Sequence, residues 1–275
     1  MPKIITSESL FGQDSVPAVA SETDDEIKNR MRAKFDFMCK MTAACKRGEI
    51  RAMIVTGPPG LGKTFEIEQV LHRDDLFNTI RQMKPKFETV KGAISPVGLF
   101  MKLHEYKDKK NLVVFDDCDG IFLEEESLNI LKSALDTSKR RFISYNKDSR
   151  LLKENHVPNT FEFCGGAIFI TNITFGNIRS KKLRQHLEAL ESRSHFIDLK
   201  INTMREKILR IKQVVEDGML SDLEDNVKEE LMTFMVDNAM QMRELSLRTI
   251  IKMADLRRSF GDEWMSAAKI SCMKT

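Results

Sequence analysis

The stretch Gly57-Pro58-Pro59-Gly60-Leu61-Gly62-Lys63-Thr64 decides how the rest of the chain is read. It matches G-x-x-x-x-G-K-[ST], in which glycines let backbone N–H groups close around phosphates and the lysine reaches the outer phosphates. The flanks agree with the motif. Before it, Arg51-Ala52-Met53-Ile54-Val55-Thr56 is a short apolar run that predicts a buried strand. After it, Phe65-Glu66-Ile67-Glu68-Gln69-Val70-Leu71 carries Ile67, Val70 and Leu71 at helical spacing. Strand, glycine turn and helix form the arrangement this chemistry needs, because a helix N-terminus presents partial positive charge to an anion. Residues Gly57 to Thr64 are therefore expected to bind a nucleotide. Lys63 would reach the β- and γ-phosphates of ATP, and the Thr64 hydroxyl would ligate magnesium.

Composition narrows the class without naming a partner. With 44 basic and 41 acidic side chains in 275 residues the net charge is +3, so global charge does not imply nucleic acid. One Trp and two Tyr provide no stacked-aromatic platform for single strands. The cysteines Cys39, Cys45, Cys118, Cys164 and Cys272 are scattered, and the histidines fall at no ligand spacing. That pattern argues against zinc and fits reduced thiols in a cytoplasmic protein. Ser7 and Glu8 interrupt any secretory core, and no apolar run approaches the ~20 residues of a membrane span.

Residues 1–23 mix Ser, Gly, Gln, Pro and acids without periodicity and read as a flexible tail, with Leu10-Phe11 as a short docking candidate. Ile27, Met31, Phe35 and Met38 then recur at helical steps, between acids at 24–26 and Lys46-Arg47-Gly48. Further strands are expected at 87–90, 111–117, 167–172 and 195–199, with helices at 95–106, around 128–135 and at 181–190. Residues 141–145 and 160–163 flank a polar stretch and would pair as a hairpin. From about 202 the pattern is helical only, roughly 203–217, 223–239, 246–258 and 262–273, with Gly218 and Gly261 as breakers. Strands alternating with helices imply an α/β fold with a parallel sheet flanked by helices. The expected division is a core over 24–200 and a small all-α lid over 201–275.

Leu112-Val113-Val114-Phe115-Asp116-Asp117 is an apolar run that delivers carboxylates to one end of a strand. Asp116 would hold magnesium, and Asp117 would orient or deprotonate the attacking water. Taken together, Gly57–Thr64 and Phe115-Asp116-Asp117-Cys118-Asp119 resemble the AAA+ ATPases, a branch of the P-loop NTPases. The likeness extends through Ile170-Thr171-Asn172 and Glu191-Ser192-Arg193-Ser194 to Ser246-Leu247-Arg248-Thr249.

The resemblance implies that Asn172 is the sensor-1 residue and that Arg248, in the lid, is the sensor-2 arginine. It also implies that Arg193 is an arginine finger acting in trans in a homo-oligomer, with Arg184 as competitor. One position departs from the family pattern: Asp117 stands where AAA+ enzymes usually carry Glu. A general base misplaced by ~1 Å can cost about a hundredfold in rate, and Asp119 is the alternative holder of water. Overall the sequence is similar to compact replication-associated or phage-encoded members. That implies a magnesium-dependent ATPase that assembles, remodels or loads a macromolecular partner, with DNA or a replication protein as partner. A protein-assembly remodeller and an ATP-dependent scaffold with little turnover are the alternatives. Lys139, Arg140, Arg141, Lys147, Arg150 and Lys153 cluster around the hairpin, either to meet phosphates or as a solvated edge.

Overall fold

The computed structural model describes residues 22–274 apart from 174, 176 and 177. The tail expected over 1–23, with its Leu10-Phe11 pair, falls almost wholly outside the described residues. Helix α1, Asp24–Arg47, opens on a reciprocal cap: Thr23 accepts from the Glu26 N–H while Glu26 accepts from that of Thr23. Three acids in its first turn and two bases in its last suit the helix dipole. Gly48, at φ 77°, ends it in the left-handed conformation that glycine adopts without a Cβ clash.

Strand β1 (Ala52–Thr56) is buried throughout and runs through the phosphate loop into α2 (Lys63–Ile80). Next come β2 (Phe87–Lys91), α3 (Pro96–Glu105) and β3 (Leu112–Asp116). Ser95 caps α3 by accepting from the Gly98 N–H, and Pro96 opens the helix where its missing N–H costs nothing. Two short helices follow, α4 (Gly120–Leu123) and α5 (Glu125–Ala134). The expected hairpin forms from β4 (Phe142–Ser144) and β5 (Thr160–Glu162), antiparallel, with the short helix α6 (Arg150–Glu154) between them. Strand β6 (Gly166–Thr171), helix α7 (Lys181–Glu191) and strand β7 (His195–Asp198) complete the sheet.

The five-stranded sheet has the order β2-β3-β6-β1-β7 and every pairing in it is parallel. Its central strands are apolar on both faces, as a sheet covered by helices on each side requires. Alternation divides the strand residues between two cores. Ile54, Val113, Phe115 and Phe169 face the cluster built with Leu99, Leu131 and Leu187, whereas Met53, Val55, Val114 and Ile168 face Met31, Phe35, Ile67 and Leu71. The remaining helices are α8 (Met204–Glu216), α9 (Asp225–Asp237), α10 (Leu247–Phe260) and α11 (Trp264–Cys272), with a 3₁₀ turn at Gly261–Glu263. They enclose a third cluster around fully buried Trp264, whose indole N–H donates to Glu230.

Register fixes what lies at the sheet's C-terminal edge. Thr56 pairs with Thr171, and Asp116 with Ile170, so Gly57, Asn172 and Asp117 leave neighbouring strands at one level. In open parallel sheets ligands bind outside the carboxyl ends of the strands, where the connections diverge to opposite faces.

Candidate nucleotide site

The phosphate loop takes its shape from three glycines at positive φ, Gly57 (154°), Gly60 (70°) and Gly62 (94°). At Gly60 the approach is close as well as left-handed. A Cβ there would lie 2.6 Å from the Ser246 Cβ, and its carbonyl accepts from the Leu247 N–H at 2.7 Å. The loop is thus gripped from outside by the start of α10 while its inner side faces a cleft of about 650 Å³.

Lys63 lies at the inner end of that cleft and is buried, with Nζ donating to the carbonyls of Gly57 (2.7 Å) and Pro58 (2.8 Å) and to Asn172 Oδ1 (2.9 Å). Burial pulls its pKa down to about 8, against the opposing attraction of Asp117 and Asp116. The Thr64 hydroxyl donates to Asp116 Oδ1 at 2.9 Å. Desolvation raises the Asp116 pKa, and that hydrogen bond partly offsets it. A hydroxyl and a buried carboxylate side by side are oxygen donors of the kind magnesium takes.

Asp117 stands just past β3 at φ 52°, a left-handed conformation that Asp tolerates better than most residues. Its N–H donates to the Ile170 carbonyl, and its carboxylate accepts from Asn172 Nδ2 at 2.9 Å. Asn172 therefore joins Lys63 to Asp117, its oxygen toward the ammonium and its nitrogen toward the carboxylate. The expected alternative, Asp119, is engaged elsewhere: its Oδ1 accepts from the buried Thr171 hydroxyl.

Arg248, near the start of α10, lines the same cleft and is exposed, with no hydrogen-bond or ion-pair partner among the described residues. Arg193 lies elsewhere. His195, the first residue of β7, pairs with Met53, so Arg193, in the turn just before it, lies toward the N-terminal edge of the sheet. At ~3.3 Å per strand residue, the start of β7 beside Met53 is already about 13 Å from Gly57. Its Nη1 donates to the Ala189 carbonyl at 2.7 Å, while its buried Nε has no hydrogen-bond partner among the described residues. Arg184 donates to the Ile178 carbonyl and also lies off the cleft.

Two features escaped the sequence reading. The cleft is also lined by Phe35 and Cys39 of α1, by Val214 of α8, and by Gly218 and Met219 beyond it, apolar chemistry that suits a base. Arg210 of α8, 3% exposed, lies 3.6 Å from the centre of the Phe35 ring and pairs with Glu66 of α2 at 3.1 Å. This one guanidinium ties α8 to both α1 and α2.

The basic cluster around the hairpin is largely neutralised within the chain. Arg140 pairs with Glu162, Lys147 with Glu126, Arg150 with Glu154 and Lys153 with Asp148. Arg141 is buried and donates to the Ala134 and Gly165 carbonyls. Lys139 alone of the six has neither an ion pair nor a hydrogen bond among the described residues.

A phosphate loop, acids ending β3, an amide following β6 and a C-terminal helical region on a parallel sheet of this order match the AAA+ type of P-loop NTPase fold. In sequence the chain is 31% identical over 252 residues to an uncharacterized 36.7 kDa protein of the nrdC–mobD intergenic region of Enterobacteria phage T4. The match covers 90% of this chain and 76% of the phage protein, and the chain belongs to that protein's family. No protein-family model matches it.

Among solved structures, the chain is similar to the replication initiator DnaA bound to AMPPCP and single-stranded DNA, at 13% identity and a TM-score of 0.49. That match covers 85% of this chain and 63% of the other, so the chain spans less than two thirds of the initiator. It is also similar to the Aeropyrum pernix ORC1 protein in complex with DNA, with 12% identity, a TM-score of 0.48, and coverage of 87% and 64%. Domain III of the Thermotoga maritima DnaA gives 12%, 0.45, 87% and 92%.

Proposed function

We propose that the chain is a magnesium-dependent ATPase, built as a nucleotide-binding core over 24–200 and a helical lid over 201–275, whose active form is a homo-oligomer. The observation that carries this reading is the continuous path Lys63–Asn172–Asp117 beside the Thr64–Asp116 pair in one cleft. Thr64 and Asp116 would hold magnesium, which supplies positive charge to the β- and γ-phosphates of ATP. Entry of the triphosphate gives Lys63 better acceptors than the loop carbonyls it now uses. Asn172 is then placed to hold Asp117 toward a water in line with the γ-phosphate. The water oxygen bonds to phosphorus, the bond to the bridging oxygen breaks with its electron pair leaving on ADP, and the water proton passes to Asp117.

Arg248 reaches the nucleotide from the lid of the same subunit. Arg193, at the opposite edge of the sheet, serves a neighbour's nucleotide if it serves any. The assembly would act on a macromolecule, with DNA in replication or recombination as the first reading, supported by the motif-level likeness to replication-associated members. The remodelling of a protein assembly is the second, and the internally paired charges of the hairpin favour it over a nucleic-acid contact there. A reducing cytoplasmic setting belongs to the proposal, supported by five cysteines that remain free. Among the described residues no helix is long and apolar enough to cross a membrane.

Calorimetry with ATP and magnesium tests the site. Lys63→Ala should lose at least the ~1.5–3 kcal/mol of a charge-assisted hydrogen bond, and unchanged affinity would contradict the assignment. Turnover measured with single-stranded DNA, duplex DNA and neither decides the partner. Stimulation by DNA supports the first reading, and its absence the second.

A further inference from the structure

A second cleft, of about 430 Å³, opens at the N-terminal edge of the sheet, away from the nucleotide cleft. It gathers cations from separate segments: Lys46 and Arg47 at the end of α1, Lys86 just before β2, and Lys110 just before β3. Lys46 is 8% exposed, yet its Nζ makes no well-aligned hydrogen bond among the described residues. The Asp75 carboxylate lies 3.2 Å away, close enough for an ion pair but off the hydrogen-bonding axis, and the Phe87 ring centre is 5.3 Å away. Asp75 also accepts from Asn78 at 2.7 Å.

Burial, then the like charge of Lys86, depress the Lys46 pKa, with Asp75 opposing. Lys86 and Lys110 are exposed and have no carboxylate partner among the described residues. A buried ammonium with donors to spare, facing two unpaired ammoniums across an open cleft, is an arrangement an anion would relieve. Asp74, exposed on the same cleft, narrows the class of anion. Beside cations, a carboxylate accepts a hydrogen bond from an anion that still carries a proton. Hydrogenphosphate carries one near neutral pH and sulfate does not.

We propose that this cleft is a second anion site, distinct from the nucleotide cleft, that takes a compact phosphate group: Lys46, Lys86 and Lys110 bind its oxygens and Asp74 accepts its proton. Arg47, paired with Glu49 at 2.8 Å, forms the rim. The depth of Lys46 favours a free or terminal phosphate over the chain-internal phosphates of a polymer.

The test is titration of the full chain with inorganic phosphate at constant ionic strength, following acylation of individual lysines by mass spectrometry. Because the readout is local, phosphate bound at the nucleotide cleft does not interfere. Phosphate should protect Lys86 and Lys110 but leave Lys139 reactive, and sulfate at equal concentration should protect less. In Lys110→Ala, the phosphate needed to protect Lys86 should rise by about tenfold or more, as expected for a lost charge-assisted contact. The proposal is overturned by equal slowing of Lys86 and Lys139, by equal protection from sulfate, or by an unshifted midpoint in Lys110→Ala. Protection by an oligonucleotide but not by inorganic phosphate would overturn it as well.

Discussion

Lys63 spends its three donors on two loop carbonyls and one amide, in a site dry enough to bring its pKa to about 8. The sign of the resulting pH dependence differs between the free and liganded protein. Without nucleotide, the folded pKa lies below the unfolded 10.5, so the unfolded chain binds more protons between the two values. Stability from this group is full above 10.5 and is lost as pH falls through about 8. Binding runs the other way, because the triphosphate requires the ammonium. The rise in Tm produced by ATP and magnesium should shrink as pH climbs through 8 toward 10.5, read by thermal melts across that range. A constant rise would mean that Lys63 does not face the phosphates.

Asp117 makes a separate claim. Asp117→Asn keeps the side chain's size but cannot take a proton, so ATP should still bind while turnover falls, by about 10²–10⁴-fold for a lost general base. Turnover at the parent rate would transfer the role away from Asp117. Lys63, Thr64, Asp116 and Asp117 were legible in the sequence because each sits inside or beside a contiguous motif. Phe35 and Arg210 were not: their contact joins α1 to α8, and neither residue belongs to a motif.

The phosphate loop and α10 behave as one element, joined by the Gly60–Leu247 hydrogen bond and by packing that leaves no room for a side chain at position 60. Gly60→Ala should be destabilised by about 1–2 kcal/mol for the left-handed backbone and by a further ~1–3 kcal/mol for overpacking against Ser246. Denaturant unfolding measures the sum, and a change within about ±0.5 kcal/mol, ordinary for a surface substitution, would dissolve the coupling. Strands and long helices were readable because their apolar periods are strong, and the Ser95 and Gly48 boundaries because their capping chemistry is local. The short helices α4 and α6 were not expected. Four and five residues are too few to show a period, and α6 is held mainly by its Ser149 cap and the buried Leu152. Strand order was also illegible, since pairing of β1 with β6 and β7 depends on contacts between distant segments.

At the scale of the whole molecule, the two edges of the sheet carry different halves of the proposed reaction. The C-terminal edge holds the phosphate loop, the acids and Asn172, while the N-terminal edge holds Arg193. A rigid sheet keeps these edges apart, so an arginine at one can meet a phosphate at the other only across a contact between two copies. Charge builds on the transferred phosphoryl group, and an arginine supplied in trans is worth about 10³–10⁵ in rate. The central claim is therefore tested most directly by ATP turnover in mixtures of Arg193→Ala and Lys63→Ala subunits, with each variant alone as control and mixed oligomers verified. Each variant should be nearly inactive alone, and mixing should restore part of the turnover at contacts joining an intact phosphate loop to an intact Arg193. Mixed oligomers without recovered turnover, or full activity from a dilute and demonstrably monomeric parent, would contradict it.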